Sequence, residues 1–272
     1  MKSILLHISG DSCMEARLQV ALDLARAFDG HVTCLQVVNY EVFAPGDFYG
    51  SAMAAAIPRI KETAEELRTR IEGQLENEDV SWDWEHVSGR AEAKLLERSA
   101  LHDIILIGPN DVGQDGLSSP SGMAGTLALK APIPVLVVPG HTKGFDVTAP
   151  VLIAWNGSAE SSVALRQAVP LLAKSDAVYL ATVAEVSDKQ RFDLPPVEGA
   201  RYLSRHNIEP ELIEIPKGEA KVSDTLFSAA NMRECGMVVM GAYGHSRLAE
   251  LLLGGVTRRS LTDPQMPIFL AH

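Results

Sequence analysis

Gly241-Ala242-Tyr243-Gly244-His245-Ser246-Arg247, followed after a leucine-rich run by Gly254-Gly255-Val256-Thr257, is the stretch whose residue types and spacing point most directly to chemistry. Two residues separate Gly241 from Gly244 and nine separate Gly244 from Gly254. Glycine lacks Cβ and tolerates positive φ, so such a loop folds tightly and brings backbone N–H groups within reach of a ligand. A helix beginning near Gly255 would aim its free first-turn N–H groups at a phosphate. His245 and Arg247 lie inside the loop, where each could touch that phosphate or stand as an ordinary exposed residue. The competing reading is that the glycines only shape a strand-to-helix turn.

The elements that must position this loop are legible from apolar periodicity. Met237-Val238-Val239-Met240 reads as a buried strand that emerges at Gly241. At the other end of the chain, Ile4 to Ile8 reads as a buried strand and Ser9-Gly10-Asp11-Ser12 as a polar turn. Ala16, Val20, Leu24 and Ala27 recur at helical spacing, and His31 to Val38 is the next strand, so the chain opens as a βαβ unit with a parallel sheet. Tyr40 to Ile57 reads as irregular, a lid, a contact surface or a surface loop. A helix follows from about Arg59 to Glu76, and then an alternating strand from Val80 to Val87. Gly89 opens a short helix, and Asp103 to Gly108 is a very apolar strand. A flexible loop rich in Gly, Asp and Ser leads to a helix over 122–130, and the half ends on Pro134 to Val138.

After the linker Pro139-Gly140-His141-Thr142-Lys143-Gly144 the same order of signals returns. Val151 to Gly157 answers Ile4 to Gly10, Gly218-Glu219-Ala220-Lys221 answers Gly89-Arg90-Ala91-Glu92, and Met237 to Gly241 answers Ile104 to Gly108. The expectation is two tandem Rossmann-like, flavodoxin-like α/β domains over 1–142 and 147–272. Each is a five-stranded, mainly parallel sheet flanked by helices. Ligands of such sheets bind beyond the carboxyl ends of the strands, where strand order reverses. That geometry sets Trp155-Asn156-Gly157 opposite Gly241-Ala242-Tyr243-Gly244, with Ala154 and Val183 at neighbouring strand ends. The Trp155 ring could stack on a base there or pack against its surroundings.

Composition narrows the classes. The 272 residues are 46% hydrophobic and 22% charged, with 35 acidic residues against 24 Lys plus Arg and a net charge of −11. Such a surface repels nucleic acid and anionic membranes, and the longest basic cluster is Arg258-Arg259. Cys13, Cys34 and Cys235 are widely spaced and odd in number, which suggests neither a disulfide framework nor a zinc site. The lack of a signal peptide or membrane-length apolar run makes the cytoplasm the expected compartment.

On these segments the chain resembles a tandem universal stress protein, and the resemblance covers both halves. The glycine pattern of the family's nucleotide-binding branch falls on Gly241, Gly244 and Gly254, with Gly255 where the family has serine or threonine. Its first-strand aspartate-glycine-serine motif falls on Asn156-Gly157-Ser158. The resemblance implies ATP binding, with magnesium as a companion, by the second half. Gly255 and Val256 would supply backbone donors, and Thr257 a substitute hydroxyl. Asn156 retains hydrogen bonding without the charge. The first half carries Pro109 and Asp111 in the equivalent loop, which oppose a phosphate, so that half is expected to be degenerate and structural or regulatory. The implied function is a nucleotide-binding regulator of the stress response, more binder than enzyme. A nucleotide-free interaction module and a slow ATP hydrolase are the alternatives. The resemblance also suggests an intramolecular pseudo-dimer through the edge strands Val135 to Val138 and Ile268 to Leu270, and leaves a homodimer open.

Overall fold

The computed structural model describes residues 1–39, 50–112, 118–120, 122–184, 194–216, 220–242, 260–261 and 264–272. In the first half these form β1 (Ser3–Ile8), α1 (Met14–Phe28), β2 (His31–Val38), α2 (Gly50–Leu75), β3 (Ser81–Ser88), α3 (Ala91–Arg98), β4 (Ile104–Ile107), β5 (Asn110–Val112), β6 (Ser118–Pro120), α4 (Gly122–Lys130) and β7 (Val135–Val137). In the second they form β8 (Val151–Ala154), α5 (Ala159–Leu172), β9 (Val178–Ala184), α6 (Pro196–Ser204), β10 (Glu211–Pro216), α7 (Val222–Met232), β11 (Met237–Gly241) and β12 (Ile268–Ala271).

The apolar runs become central strands because a parallel sheet covered on both faces gives every side chain a buried position. Ile104 to Ile107 and Val135 to Val137 are buried without a break. The alternating segments become edges: β3 and β10 leave every second or third residue exposed. α1 stops at Asp29, which takes up φ 48° and lets the Asp29 and Gly30 N–H groups reach the carbonyls of Arg26 and Ala25. The apolar faces of α1, α2, α5 and α6 pack on one side of the sheet. Those of α3, α4 and α7 pack on the other.

The expectation of two separate five-stranded sheets is overturned. Among the described residues ten strands form one continuous sheet, in the order β10-β9-β8-β11-β12-β7-β4-β1-β2-β3. All neighbours are parallel except at its centre, where β12 and β7 pair antiparallel with Ile268 opposite Val137, Phe269 opposite Leu136 and Leu270 opposite Val135. The physical reason is edge chemistry. A fully apolar edge strand leaves its N–H and C=O groups unpaired, and joining two such edges satisfies both rows while burying both sets of side chains. The contact therefore runs through the two strands named from the sequence, but as a continuous ladder instead of a face between finished sheets. The two halves make an intramolecular pseudo-two-fold pair.

Two smaller differences concern loops. The irregular stretch expected through Ile57 is already helical from Gly50, and residues 40–49 lie outside the described set. The expected flexible loop after Gly108 contains a short antiparallel ribbon of β5 and β6.

Candidate functional site

In each half the strand order reverses between the first and fourth strands, β1 beside β4 and β8 beside β11, which creates a crevice at their carboxyl ends. In the second half Ala154 lies opposite Met240, so the turn over 155–157 and the start of the glycine stretch leave the sheet side by side. Trp155 is buried against the core, and its indole N–H donates to the Leu194 carbonyl at 3.1 Å. Packing is thus its role. Asn156 is exposed, with Oδ1 accepting the Ser158 N–H at 3.2 Å and holding the turn into α5. Ser158 Oγ in turn accepts the Ser161 N–H at 3.2 Å and caps that helix.

Gly157 and Gly241 are required by close approach. Gly157 has φ +81°, and a Cβ there would stand 2.3 Å from the Leu194 carbonyl oxygen. The Leu194 N–H donates to the Gly157 carbonyl at 2.9 Å, so the chain at 194 lies directly on this turn. At Gly241 a Cβ would come within 2.6 Å of Glu160 C and Ser161 N, both in the backbone of α5's first turn. Gly241 is therefore a packing glycine, which lets β11 pass beneath a helix. Val183 is half-buried in β9 opposite Ile215. The remaining members of the sequence-derived set, Gly244, His245, Arg247, Gly254, Gly255, Val256 and Thr257, lie outside the described residues. At the switch point the exposed Asn156 keeps its amide N–H groups as donors beside the end of β11. Among them no group of three His, Cys, Asp or Glu could hold a metal ion.

The first-half crevice is a cavity of about 910 Å³. It spans the carboxyl edge of β1 and β2, with the side of α2 as one wall and the first turns of α3 and α4 as the other. Below it lies an ion pair that the sequence reading missed. The Arg17 guanidinium donates from Nη1 to Asp11 Oδ1 at 2.9 Å, from Nη2 to Asp11 Oδ2 at 2.8 Å, and from Nε to the His7 carbonyl at 3.1 Å. Burial alone would push the Asp11 carboxyl up, but the Arg17 hydrogen bonds and charge outweigh it and hold it below the usual range. Gly108 admits this guanidinium: a Cβ at 108 would stand 2.6 Å from Arg17 Nη1. The first glycine after the fourth strand thus serves packing in both halves.

His7 also lines the cavity and is 7% exposed. Its buried Nδ1 has no hydrogen-bond partner among the described residues. Burial, reinforced by the Arg17 charge, lowers its pKa to about 3, so the ring is neutral. Gln36 closes the floor, its amide donating to the Ala64 carbonyl at 2.7 Å while its Oε1 accepts from His86 Nδ1 at 3.0 Å. A signal for these residues was present in the sequence: His7 interrupts an apolar strand, and Arg17 sits on the apolar stripe of α1. The three cysteines are buried and free, and burial pushes the Cys34 thiol up to about 12 and the Cys235 thiol up to about 11, far from nucleophilic form.

Fold and crevices together define a tandem α/β protein whose two switch points face outward from a shared sheet. The model of the universal stress protein family matches residues 1–139 and 148–271, and the chain belongs to that family. Membership carries with it a general place in stress-response regulation. The solved structure of a universal stress protein from Archaeoglobus fulgidus DSM 4304 aligns over 99% of this chain and 96% of its own, with a TM-score of 0.73 at 17% identity. A functionally unknown protein from Pseudomonas aeruginosa PAO1 aligns over 100% and 92%, with a TM-score of 0.61 at 16% identity. At such identities these likenesses show the fold. No curated protein matches the chain. No helix of the described residues is long and apolar enough to cross a membrane.

Proposed function

We propose that the chain is a stress-response regulator that binds an adenine nucleotide, ATP foremost, in its second half and acts as a binder rather than a catalyst. One observation carries this reading: β8 and β11 end side by side at a switch point, with exposed Asn156 on one and the Gly241 stretch leaving the other. Asn156 and the β9 end at Val183 supply the nucleoside side, and the residues from Gly244 to Thr257 supply the phosphate donors. Magnesium would arrive with the phosphates.

A second reading has its own support. The close packing at Gly241 and the contact between Gly157 and Leu194 give both glycines work without a ligand. On that reading the chain is a nucleotide-free interaction module, and further self-association of the paired halves belongs with it. Calorimetric titration with ATP separates the two. The nucleotide reading expects saturable binding, lost in Gly244→Val and Gly254→Val with the circular dichroism spectrum retained. An absence of binding to the native chain removes it.

A further inference from the structure

The first-half cavity is built for something other than a polyphosphate. Position 109 is a proline, so the loop after β4 lacks one backbone donor. The guanidinium nearest the crevice floor, Arg17, is saturated by Asp11 and the His7 carbonyl. Most of the remaining wall is apolar, formed by Ile8, Val37, Ile60, Leu67 and Met123.

The charges at this wall leave room for a single anion. Arg59 and Arg90 line the cavity as cations and Asp11 and Glu92 as anions; with Arg17 behind Asp11 the balance is three guanidiniums to two carboxylates, or +1. Glu92 lies 3.8 Å from Arg90. Arg59 is exposed and has no ion-pair partner among the described residues. The first turn of α3 enters the same wall through Ala91 and Glu92, and Arg90 at its N-cap makes no side-chain cap, so its N–H groups add positive potential. The volume lies within the range of about 300–1,000 Å³ typical of small-molecule sites.

We propose that this cavity is a second ligand site, for a small monocarboxylate with an apolar body. The apolar body lies between α2 and the edge of β1 and β2, and the carboxylate meets Arg59 and Arg90 beside the first turn of α3. This site is separate from the second-half nucleotide crevice, because the two lie on opposite sides of the β7 and β12 junction.

Sodium decanoate below its micellar concentration is the probe, titrated calorimetrically into the full chain. The expected result is one-to-one binding that is unchanged by excess ATP. It should weaken about tenfold, the equivalent of 1.4 kcal/mol, in Arg59→Glu and be lost in Thr63→Trp, which places a large ring at the rim. Arg59 and Thr63 are both exposed, so both variants should keep the native circular dichroism spectrum. No binding by the native chain, equal binding by both variants, or displacement of decanoate by ATP would each overturn the proposal.

Discussion

Arg17 and Asp11 form a two-pronged ion pair at 2.9 and 2.8 Å whose side chains are 0% and 5% exposed, inside a chain of strongly acidic net charge. The pair ties α1 to the turn after β1 and lies against Gly108 at the end of β4. It therefore determines the shape of the first-half crevice floor.

Removing one partner leaves a buried charge alone. Arg17→Met should lower the free energy of unfolding by about 3–5 kcal/mol, read from the urea midpoint. Arg17→Lys should restore little, because an ammonium cannot span both carboxylate oxygens. The double change Arg17→Met with Asp11→Leu should recover a large part of the loss. If the single Arg17→Met change proves neutral, the pair is not what holds this turn.

The neutral His7 ring makes stability depend on pH with a defined sign. Its folded pKa, about 3, lies below the ordinary value of 6.5, so the unfolded chain binds the extra proton first. Stability should be unaffected by this group above pH 6.5 and should fall by up to about 1.4 kcal/mol per pH unit on acidification toward 3. His7→Leu should flatten that slope relative to the native chain. Asp11 acts in a lower window: its lowered pKa stabilises the fold above the ordinary carboxylate value and ceases to do so as pH falls through the folded one. Urea titrations at a series of pH values, native against His7→Leu, check the separation.

Two glycines of the same stretch should fail in different ways. Gly241→Ala sets a Cβ against the backbone of α5 and should destabilise by about 1–3 kcal/mol, visible as a lower thermal midpoint whether or not ATP is present. Gly244→Val should leave the midpoint of the ligand-free chain near the native value and abolish the rise that ATP produces. A native-like midpoint for Gly241→Ala would remove the packing role assigned to it.

The central antiparallel ladder makes each half depend on the other. Phe269 is fully buried opposite Leu136, and Phe269→Ala should cost about 3–5 kcal/mol. Hydrogen exchange should then quicken in β4 and β7 as well as in β11 and β12. Acceleration confined to the second half would show that the ladder does not couple the two.

The sequence by itself determined the order of elements and their repetition, because apolar period and turn residues are local properties. Ile104 to Ile107 could only be a buried strand, and Ala16, Val20 and Leu24 could only face a core from a helix. The family resemblance added Val135 to Val138 and Ile268 to Leu270 as edges in need of cover. That those edges zip into one ten-stranded sheet was decided by tertiary structure, since pairing direction and register arise from two strands about 130 residues apart. The same holds for the site. Spacing marks Gly241 as a glycine that matters, but its reason, the backbone of Glu160 and Ser161 passing at contact distance, exists only when β11 and α5 are packed together. His7 and Arg17 stand out against apolar patterns and Arg59 looks ordinary in the chain, but only the packed fold sets His7 and Arg59 on one cavity with the Arg17–Asp11 pair beneath it, because the carboxyl end of β1 opens onto that crevice.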